Sequence, residues 1–476
     1  MIIDHSGLLP LSGSEARSEL DRFRVGVHSC LTRRADALFE IVDAVACSPG
    51  RVTDLARLTL DAEYRRGHGA LYDALNCGAI DTEQLRALLT AAPVPKIVGP
   101  DGRERIVLAV DVSNWLRPDA STSPERSFCH TYARGRGQAQ MIPGWPYSFV
   151  AALESGASSW TALLDVARLR AGDDATLATA AQLRGVVGGL IRSGHHRHDD
   201  PDIVVVCDAG YDVTRLAWLL ADLPAVLIGR VRSDRVFYTP AGKRKGSTKG
   251  RPPRHGERLS LREAATQTKP TATTVSDTDR YGRCAATAFA RMHPKIDSRG
   301  GWIDHDGPLP LIEGTLVRLH VERLPGDRNP KPLWLWSSKP VPDNVAEIDH
   351  WWSMFIRRFD LEHTFRFLKQ NLGWVTPRLR EPDAADRWTW LVIAAHTGLR
   401  LARSLATDCR LPWQRPLTQA KLTPSRVRAS YRRICRTLFN PANAPKPSRA
   451  GPGRTKGRKN TRKAPHQPVG KHRSSG

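Results

Sequence analysis

Apolar residues recur at two different spacings along the chain, and the change between them divides it. Residues 15–95 repeat apolar positions every three or four residues, as in Leu31, Ala35 and Leu38, which predicts amphipathic helices. From about residue 105, continuous apolar runs replace this spacing, and such runs are typical of strands buried on both faces of a sheet. The sequence therefore predicts a helical N-terminal part followed by an α/β part.

Two of the buried runs are marked by an aspartate at the end. Residues 105–112 include Asp111, and residues 202–207 are followed at once by Asp208. The surrounding pattern predicts the order strand, strand, strand, helix, strand, helix, strand. The other elements in this order are strands at 128–133, 146–153 and 225–231 and helices at 176–192 and 213–221.

A basic segment and several short apolar runs separate this part from the helices that follow. Residues 243–254 read K-R-K-G-S-T-K-G-R-P-P-R, which is too polar and too rich in Gly and Pro to pack a core. Short apolar runs at 316–321 and 333–336 predict strands, so residues 232–344 are interpreted as a β-rich insertion. Helical spacing returns at 345–371 and 384–405.

The charge indicates an anionic partner. The chain has 476 residues and a formal net charge of +24, and residues 409–476 contain 18 Lys and Arg with no Asp or Glu. A surplus of this size favours nucleic acid as the first candidate partner and an anionic membrane as the second. No apolar stretch approaches the length of a membrane span and no signal peptide is evident, so we expect no membrane association and a cytoplasmic, nucleoid-associated location.

The eight cysteines also favour a cytosolic protein. None forms a C-x-x-C pair, which argues against a structural zinc site. Scattered cysteines of this kind suit buried, reduced thiols in a cytosolic protein.

Asp111 and Asp208 are candidate metal ligands. A carboxylate at the end of a buried strand is costly unless it is paired or binds a metal. Cleavage of a phosphodiester by the two-metal route uses hard oxygen ligands of this type to hold two Mg²⁺ ions. The alternative is that each aspartate forms a turn or caps a helix, and Asp212 fits a helix cap better than a ligand.

The helix predicted at 345–371 supplies a third carboxylate. Phe355, Arg358, Glu362 and Lys369 fall within about 60° of one another around a continuous helix. One face then carries an aromatic ring, an anion and two cations. The alternative is a solvated face with an ordinary ion pair between Arg358 and Glu362.

These residues carry a resemblance to a known family. The pattern F-x-x-R-x-x-x-E-x-x-x-x-x-x-K at 355–369 is similar to the Y-(2)-R-(3)-E-(6)-K signature of bacterial insertion-sequence transposases of the DDE type. The segments C-D-A-G-Y-D at 207–212 and L-E-H-T-F-R-F-L-K-Q at 361–370 also resemble that group. So does a β-rich insertion between the second aspartate and the glutamate.

The resemblance implies a fold and an activity. The fold is α/β, with a ribonuclease H-like mixed sheet. The activity is DNA transposition: cleavage at terminal inverted repeats and strand transfer into double-stranded target DNA, by a homodimer. Two alternatives stay open, which are a DNA endonuclease of the same fold without strand transfer and a catalytically silent DNA-binding protein derived from a transposase.

The resemblance also implies roles for individual residues. Asp111, Asp208 and Glu362 match the catalytic triad that binds two Mg²⁺ ions, for which Mn²⁺ can substitute. Arg358 and Lys369 match residues that contact DNA phosphates. Phe355 stands where the group usually has Tyr, so a hydrogen bond from that hydroxyl is absent, which weakens the inference of a hairpin-ended intermediate.

The basic segment is a further candidate DNA contact. Gly250-Arg251-Pro252 resembles the core of an AT-hook, although three residues are a weak match. Lys249, Arg251 and Arg254 are expected to contact phosphates, with a solvated basic loop as the alternative.

Together these patterns divide the chain into five parts. The predicted parts are a helical N-terminal domain at 1–100, either DNA-binding or a plain helical cap, the first part of the catalytic domain at 101–231, the β-rich insertion at 232–344, the helical remainder of the catalytic domain at 345–408, and a basic C-terminal region at 409–476 that is disordered from about 440.

Overall fold

A computed structural model of the chain describes residues 13–132, 139–156, 158–242, 252–263, 269–325, 329–446 and 463–470. Its first part is helical, as the three-to-four-residue spacing predicts. Two short antiparallel pairs, β1 with β2 and β3 with β4, join the helices. The elements are α1 (Gly13–Cys30), β1 (Leu31–Arg33), α2 (Ala35–Cys47), α3 (Leu55–Leu58), α4 (His68–Cys77), β2 (Ala79–Ile80), α5 (Thr82–Ala91), β3 (Ile97–Val98) and β4 (Glu104–Arg105).

The α/β part follows the predicted order, with one additional strand. Thr161–Arg168 forms a strand that the apolar pattern does not predict, before the helix predicted at 176–192. The elements are β5 (Val107–Leu116), β6 (Ser127–Tyr132), β7 (Ala139–Leu153), β8 (Thr161–Arg168), α6 (Ala175–Arg192), β9 (Ile203–Cys207), α7 (Val213–Leu219) and β10 (Ala225–Val231).

The region predicted as a β-rich insertion does contain strands, and they extend the same sheet. The remaining helices follow it, and the single helix predicted at 345–371 is two helices that meet at Arg358. The elements are β11 (Val236–Pro240), β12 (His255–Ser260), β13 (Ala272–Thr278), β14 (Gly282–Pro294), β15 (Gly314–Val321), β16 (Leu333–Ser337), α8 (Ala346–Arg357), α9 (Phe359–Gln370), α10 (Pro382–Leu401) and α11 (Pro424–Cys435).

One mixed sheet of twelve strands dominates the described residues. β5, β9 and β10 run parallel to one another at its centre. β7 pairs antiparallel with β5, and both β8 and β6 pair with β7. On the other side of β10 the antiparallel strands β16, β15 and β14 continue the sheet, and β13, β11 and β12 complete it.

The central strands are apolar throughout because both faces of the sheet are covered. Side chains alternate between the two faces of a strand. Val107 and Ala109 on β5 belong to one hydrophobic core, whereas Leu108 and Val110 belong to the other. The first core includes residues of α1, α2 and α8 to α11, and the second includes residues of α6 and α7. Position 111, which comes next on β5, therefore lies on the α9 side of the sheet.

The N-terminal helices and the C-terminal helices share the first core. α2 is buried over almost its whole length, against α10, α11 and α4. Basic residues of α11 complete this packing. Arg428 donates to the carbonyls of Val45 and Gly50, and Arg432 donates to the carboxylates of Asp61 and Glu63, both at 2.9 Å. Part of the positive charge at 409–476 thus has structural partners.

The tail that was predicted to be disordered includes residues that the structure describes. Of the residues from 440 onward, 440–446 and 463–470 belong to the described part. In the second stretch, Gly470 exchanges backbone hydrogen bonds with the segment around Ser127, and Gln467 donates to the carbonyl of Ser121. The predicted disorder from about 440 is therefore not confirmed, since the backbone groups of this stretch find partners beside β6. No helix within the described residues is long and apolar enough to cross a membrane.

His396 on α10 is a fully buried histidine. It is 0% exposed, and within the described residues neither ring nitrogen has a partner. Its ring centroid lies 5.8 Å from that of Trp160 and 6.1 Å from that of Phe367. Burial lowers the pKa of His396 to about 3, and the positive charge of Arg400 acts in the same direction.

We expect His396→Phe to make the protein less sensitive to acid. The folded-state pKa lies below the unfolded value of about 6.5, so the unfolded state binds more protons between these two values. The stability contribution is complete above about pH 6.5 and is lost as the pH falls towards 3, by about 2 to 3 kcal/mol at about pH 4.5. Melting temperatures measured over this range should fall less steeply for the variant. The exposed His198→Phe is the control, and equal slopes for wild type and His396→Phe would contradict the prediction.

Candidate active site

Asp111 lies within β5, at the sheet position that faces α9. Its backbone pairs with Phe149 of β7. One carboxylate oxygen, Oδ1, accepts a hydrogen bond from the amide of Val112 at 2.8 Å, and the side chain is only 15% exposed. Asp111 is thus a largely buried anion, held by a strand whose other residues pack the core.

Asp208 follows the last residue of β9 and lies on the same side of the sheet. Val204 and Val206 belong to the first core, and position 208 continues this alternation. The carbonyl of Asp208 accepts from the amide of Tyr211 at 3.1 Å, which closes a turn before α7. Asp212 then caps α7 by accepting from the amide of Arg215 at 3.0 Å, as predicted. Parallel pairing of β5 with β9 brings the two aspartates to one edge.

Arg358 joins the two aspartates. It lies where α8 ends and α9 begins, and three-residue turns replace the helical hydrogen bonds there. Its Nη1 donates to Oδ2 of Asp111, and its Nη2 lies 3.6 Å from Oδ2 of Asp208. The alternative of an ion pair between Arg358 and Glu362 is not found among the described residues. Arg358 instead provides a cation between two carboxylates.

Glu362 and Lys369 belong to the same electrostatic cluster. Glu362 lies in the first turn of α9 and is exposed. Burial raises the pKa of Asp111 to about 6, Arg358 opposes this rise, and the charges of Glu362 and Asp208 add to it. Burial lowers the pKa of Lys369, and the charges of Glu362 and Asp111 oppose that shift. Three acidic and two basic side chains therefore interact at this side of the central strands.

The cluster contains the carboxylate ligands of a metal site, although they are not grouped closely around one point in the described part of the chain. In the described part of the chain, no three His, Cys, Asp or Glu side chains are grouped so that they could hold a metal ion as they stand. Arg358 occupies the place between the aspartates. One oxygen, Oδ1 of Asp208, is buried without a hydrogen-bond partner among the described residues, and Nη1 of Arg230 lies 3.9 Å from it.

Phe355 lies apart from the surface that was expected to meet DNA. Its side chain is 7% exposed and packs in the first core. This differs from the predicted DNA contact. Lys369 feels the charges of Glu362 and Asp111, and its Nζ lies 5.6 Å from the ring centroid of Trp374.

The basic segment is described only in part. Lys249 and Arg251 lie outside the described residues. Arg254 is exposed, and its guanidinium donates to the carbonyl of Leu309. The structure therefore places Arg254 beside the loop before β15.

Arg230 is a candidate site residue that the sequence reasoning missed. It is an exposed cation near the end of β10, where the apolar run A-V-L-I-G ends. An arginine near the end of a buried strand, beside a strand that Asp208 follows, was the available signal.

Comparison with known proteins assigns the family. A family model described as DDE superfamily endonuclease matches residues 26–290, which is more than half of the chain. The chain belongs to the DDE superfamily endonucleases. The match includes Asp111 and Asp208 and ends before Glu362. No curated protein matches the chain. Members of this superfamily generally use divalent metal ions, so a carboxylate cluster on the sheet edge of this endonuclease is a candidate active site.

Proposed function

We propose that this DDE superfamily endonuclease is a DNA transposase that cleaves transposon ends and joins them to target DNA. The observation that carries the proposal is the convergence of Asp111 and Asp208 on one guanidinium, that of Arg358, at neighbouring parallel strands. The resemblance of residues 355–369 to the transposase signature supports the choice of transposition over simple hydrolysis.

The strand order supports a ribonuclease H-like catalytic core. The order β8, β7, β5, β9, β10 places an antiparallel hairpin beside three parallel strands. In the ribonuclease H-like fold a mixed sheet of this kind carries acidic residues at strand ends. The antiparallel strands beyond β10 are then an insertion that extends the sheet, before the glutamate is supplied by α9.

The donor set fits divalent cations. Carboxylate oxygens are the ligands that Mg²⁺ prefers, and Mn²⁺ accepts them as well. Among the described residues, the buried Oδ1 of Asp208 has no hydrogen-bond donor, so a bound cation would satisfy this oxygen. Asp111 and Asp208 would hold the ions, and Glu362 would complete the set. Two bound ions would supply an activated nucleophile and stabilise the leaving oxygen.

The residues of the chain would then position the DNA. Arg358 and Lys369 would hold phosphates near the cleaved bond and offset the charge that develops there, since guanidinium groups bind phosphate oxygens in pairs. In strand transfer, the 3′-hydroxyl freed by cleavage forms a new bond to a target phosphorus while the phosphodiester bond at that phosphorus breaks. The released target 3′-hydroxyl takes the proton.

The partners follow from this reaction. The substrates would be terminal inverted repeats and double-stranded target DNA, and a homodimer would bring two ends together. We propose a cytoplasmic, nucleoid-associated location for the same reason, because the substrate is chromosomal DNA.

The test is an assay that separates cutting from joining. The purified full chain is incubated with Mg²⁺, a plasmid that carries the ends of its own element, and a second plasmid as target. Cleavage at the ends together with joined products supports a transposase. Cleavage without joining would leave an endonuclease, and binding without cleavage would leave a silent DNA-binding protein.

A further inference from the structure

A cleft opens directly beside Asp208. Its volume is ≈ 580 Å³, and three segments line it: residues 209–215, which follow Asp208, residues 230–238 between β10 and β11, and residues 294–302 after β14. Arg230 belongs both to the cleft and to the neighbourhood of Asp208, at 3.9 Å from its carboxylate. The cleft therefore begins where the candidate active site ends.

Exposed cations line this cleft and have few acidic partners. They are Arg230, Arg232, Arg235, Lys295 and Arg299. Among the described residues, Arg230 is the one member of this group with an ion pair within 4.0 Å. Cations that are exposed and unpaired are available for an external anion.

The acidic residues of the cleft do not neutralise this set. Three carboxylates line it, those of Asp212, Asp234 and Asp297. Asp212 accepts from the amide of Arg215 at the start of α7, and Asp297 accepts from the amide of Arg299 at 2.9 Å. Two of the three carboxylates thus serve local backbone structure, and positive charge remains in excess.

The wall that carries Arg299 is held in place by buried contacts. Arg215 is 6% exposed, pairs with Asp174 at 2.6 Å, and lies 5.8 Å from the ring centroid of Trp302. A Cβ at Gly301 would meet the guanidinium of Arg215 at 2.6 Å, so the loop lies close against this side chain. The cleft is therefore formed before any ligand arrives.

We propose that this cleft binds the sugar–phosphate backbone of the DNA strand on one side of the bond cleaved at Asp111 and Asp208. The proposal rests on the proposed function of that site. Arginines suit this role because a guanidinium offers paired donors to phosphate oxygens. Contacts of this kind position the DNA and carry no sequence information, so the cleft would bind DNA of any sequence.

The experiment compares two triple variants of the full chain. The cleft variant is Arg232→Ala, Arg235→Ala and Arg299→Ala. The control is Arg280→Ala, Arg283→Ala and Arg323→Ala, which removes three exposed arginines near the opposite end of β14, roughly 40 Å along that strand. Binding of a short duplex of arbitrary sequence is measured by fluorescence anisotropy in EDTA at several KCl concentrations.

A plot of the logarithm of the DNA-binding constant against the logarithm of the salt concentration has a slope of about −0.9 for each phosphate contact. Loss of three contacts should therefore make the slope of the cleft variant shallower by about 2 to 3. Affinity at low salt should fall on the order of tenfold or more, and the control should keep the wild-type slope. An unchanged slope in the cleft variant, or an equal loss in both variants, would overturn the proposal.

The result is independent of the proposed catalysis. A cleft variant that binds like the control, in a protein whose wild type cuts DNA, would reject the cleft alone. A reduced slope in a protein that never cuts would keep the cleft and reject the nuclease function. Melting temperatures of both variants check folding, and the single change Arg232→Gln replaces the triple variant if that variant does not fold.

Discussion

Replacing Asp111 by asparagine is expected to lower the rate of DNA cleavage roughly 10³-fold, because a bound metal ion contributes several kcal/mol to the stabilisation of the transition state. Asparagine keeps the shape of the side chain and an oxygen that can accept from the amide of Val112. It removes the charge that would hold the ion. We expect the same loss for Asp208→Asn and for Glu362→Gln.

The control for this series is Asp212→Asn. Asp212 lies four residues after Asp208, yet its carboxylate accepts from the backbone at the start of α7. Asparagine caps helices about as well as aspartate, so this variant should cut at nearly the wild-type rate. Cleavage of the plasmid and binding of DNA are measured for every variant. Cleavage that survives in Asp111→Asn, or is lost equally in Asp212→Asn, would mean that the carboxylates are assigned wrongly.

The parallel strands were predictable because burial on both faces leaves a clear record in the sequence. β9 reads I-V-V-V-C and all five residues are buried. Strands β5, β9 and β10 therefore appear within a few residues of their predicted bounds. Since each aspartate follows such an apolar run, the sequence also indicated that the two acids lie side by side on neighbouring parallel strands.

β8 escaped prediction because a charged residue interrupts its apolar run. Asp165 stands within T-A-L-L-D-V-A-R and is 4% exposed. Arg86 of α5 pairs with it at 2.7 Å. The partner lies 79 residues away in the sequence, so no local pattern shows that this carboxylate can be buried.

The charge of the C-terminal region shows a related limit. A count of Lys and Arg cannot separate cations that bind an external anion from cations that hold the fold together. Arg428 and Arg432 belong to the second group, since they bind carbonyls and carboxylates of the N-terminal helices. Arg358 shows the same limit of sequence reasoning, because its carboxylate partners, Asp111 and Asp208, lie far away in the sequence.

Arg358→Ala is expected to destabilise the metal-free protein by about 2 to 4 kcal/mol, and Mg²⁺ is expected to restore most of that loss. Removing one partner of a buried ion pair costs about 3 to 5 kcal/mol, because the remaining charge is left without compensation. The lower range applies here because the side chain of Asp208 is 37% exposed and is partly solvated. Arg358 and Asp111 are more buried, at 14% and 15%.

Mg²⁺ should act in the variant because the two aspartates that lose their cation are the proposed ligands. A cation that binds only the folded state raises its stability by an amount that grows with its affinity. In the wild type, Arg358 already occupies the place between the carboxylates, so the ion must displace the guanidinium. The rise in melting temperature on adding Mg²⁺ should therefore be larger for Arg358→Ala than for the wild type.

Arg357→Ala is the matched control. It removes the same charge from the neighbouring residue, whose guanidinium pairs with Asp360 at 2.6 Å and has no proposed role at the metal site. Its loss of stability should be the same with and without Mg²⁺. An equal response to Mg²⁺ in all three proteins would contradict the exchange of Arg358 for the ion. A larger response in Arg358→Ala would mean that the guanidinium of Arg358 and the ion compete for the place between the two carboxylates.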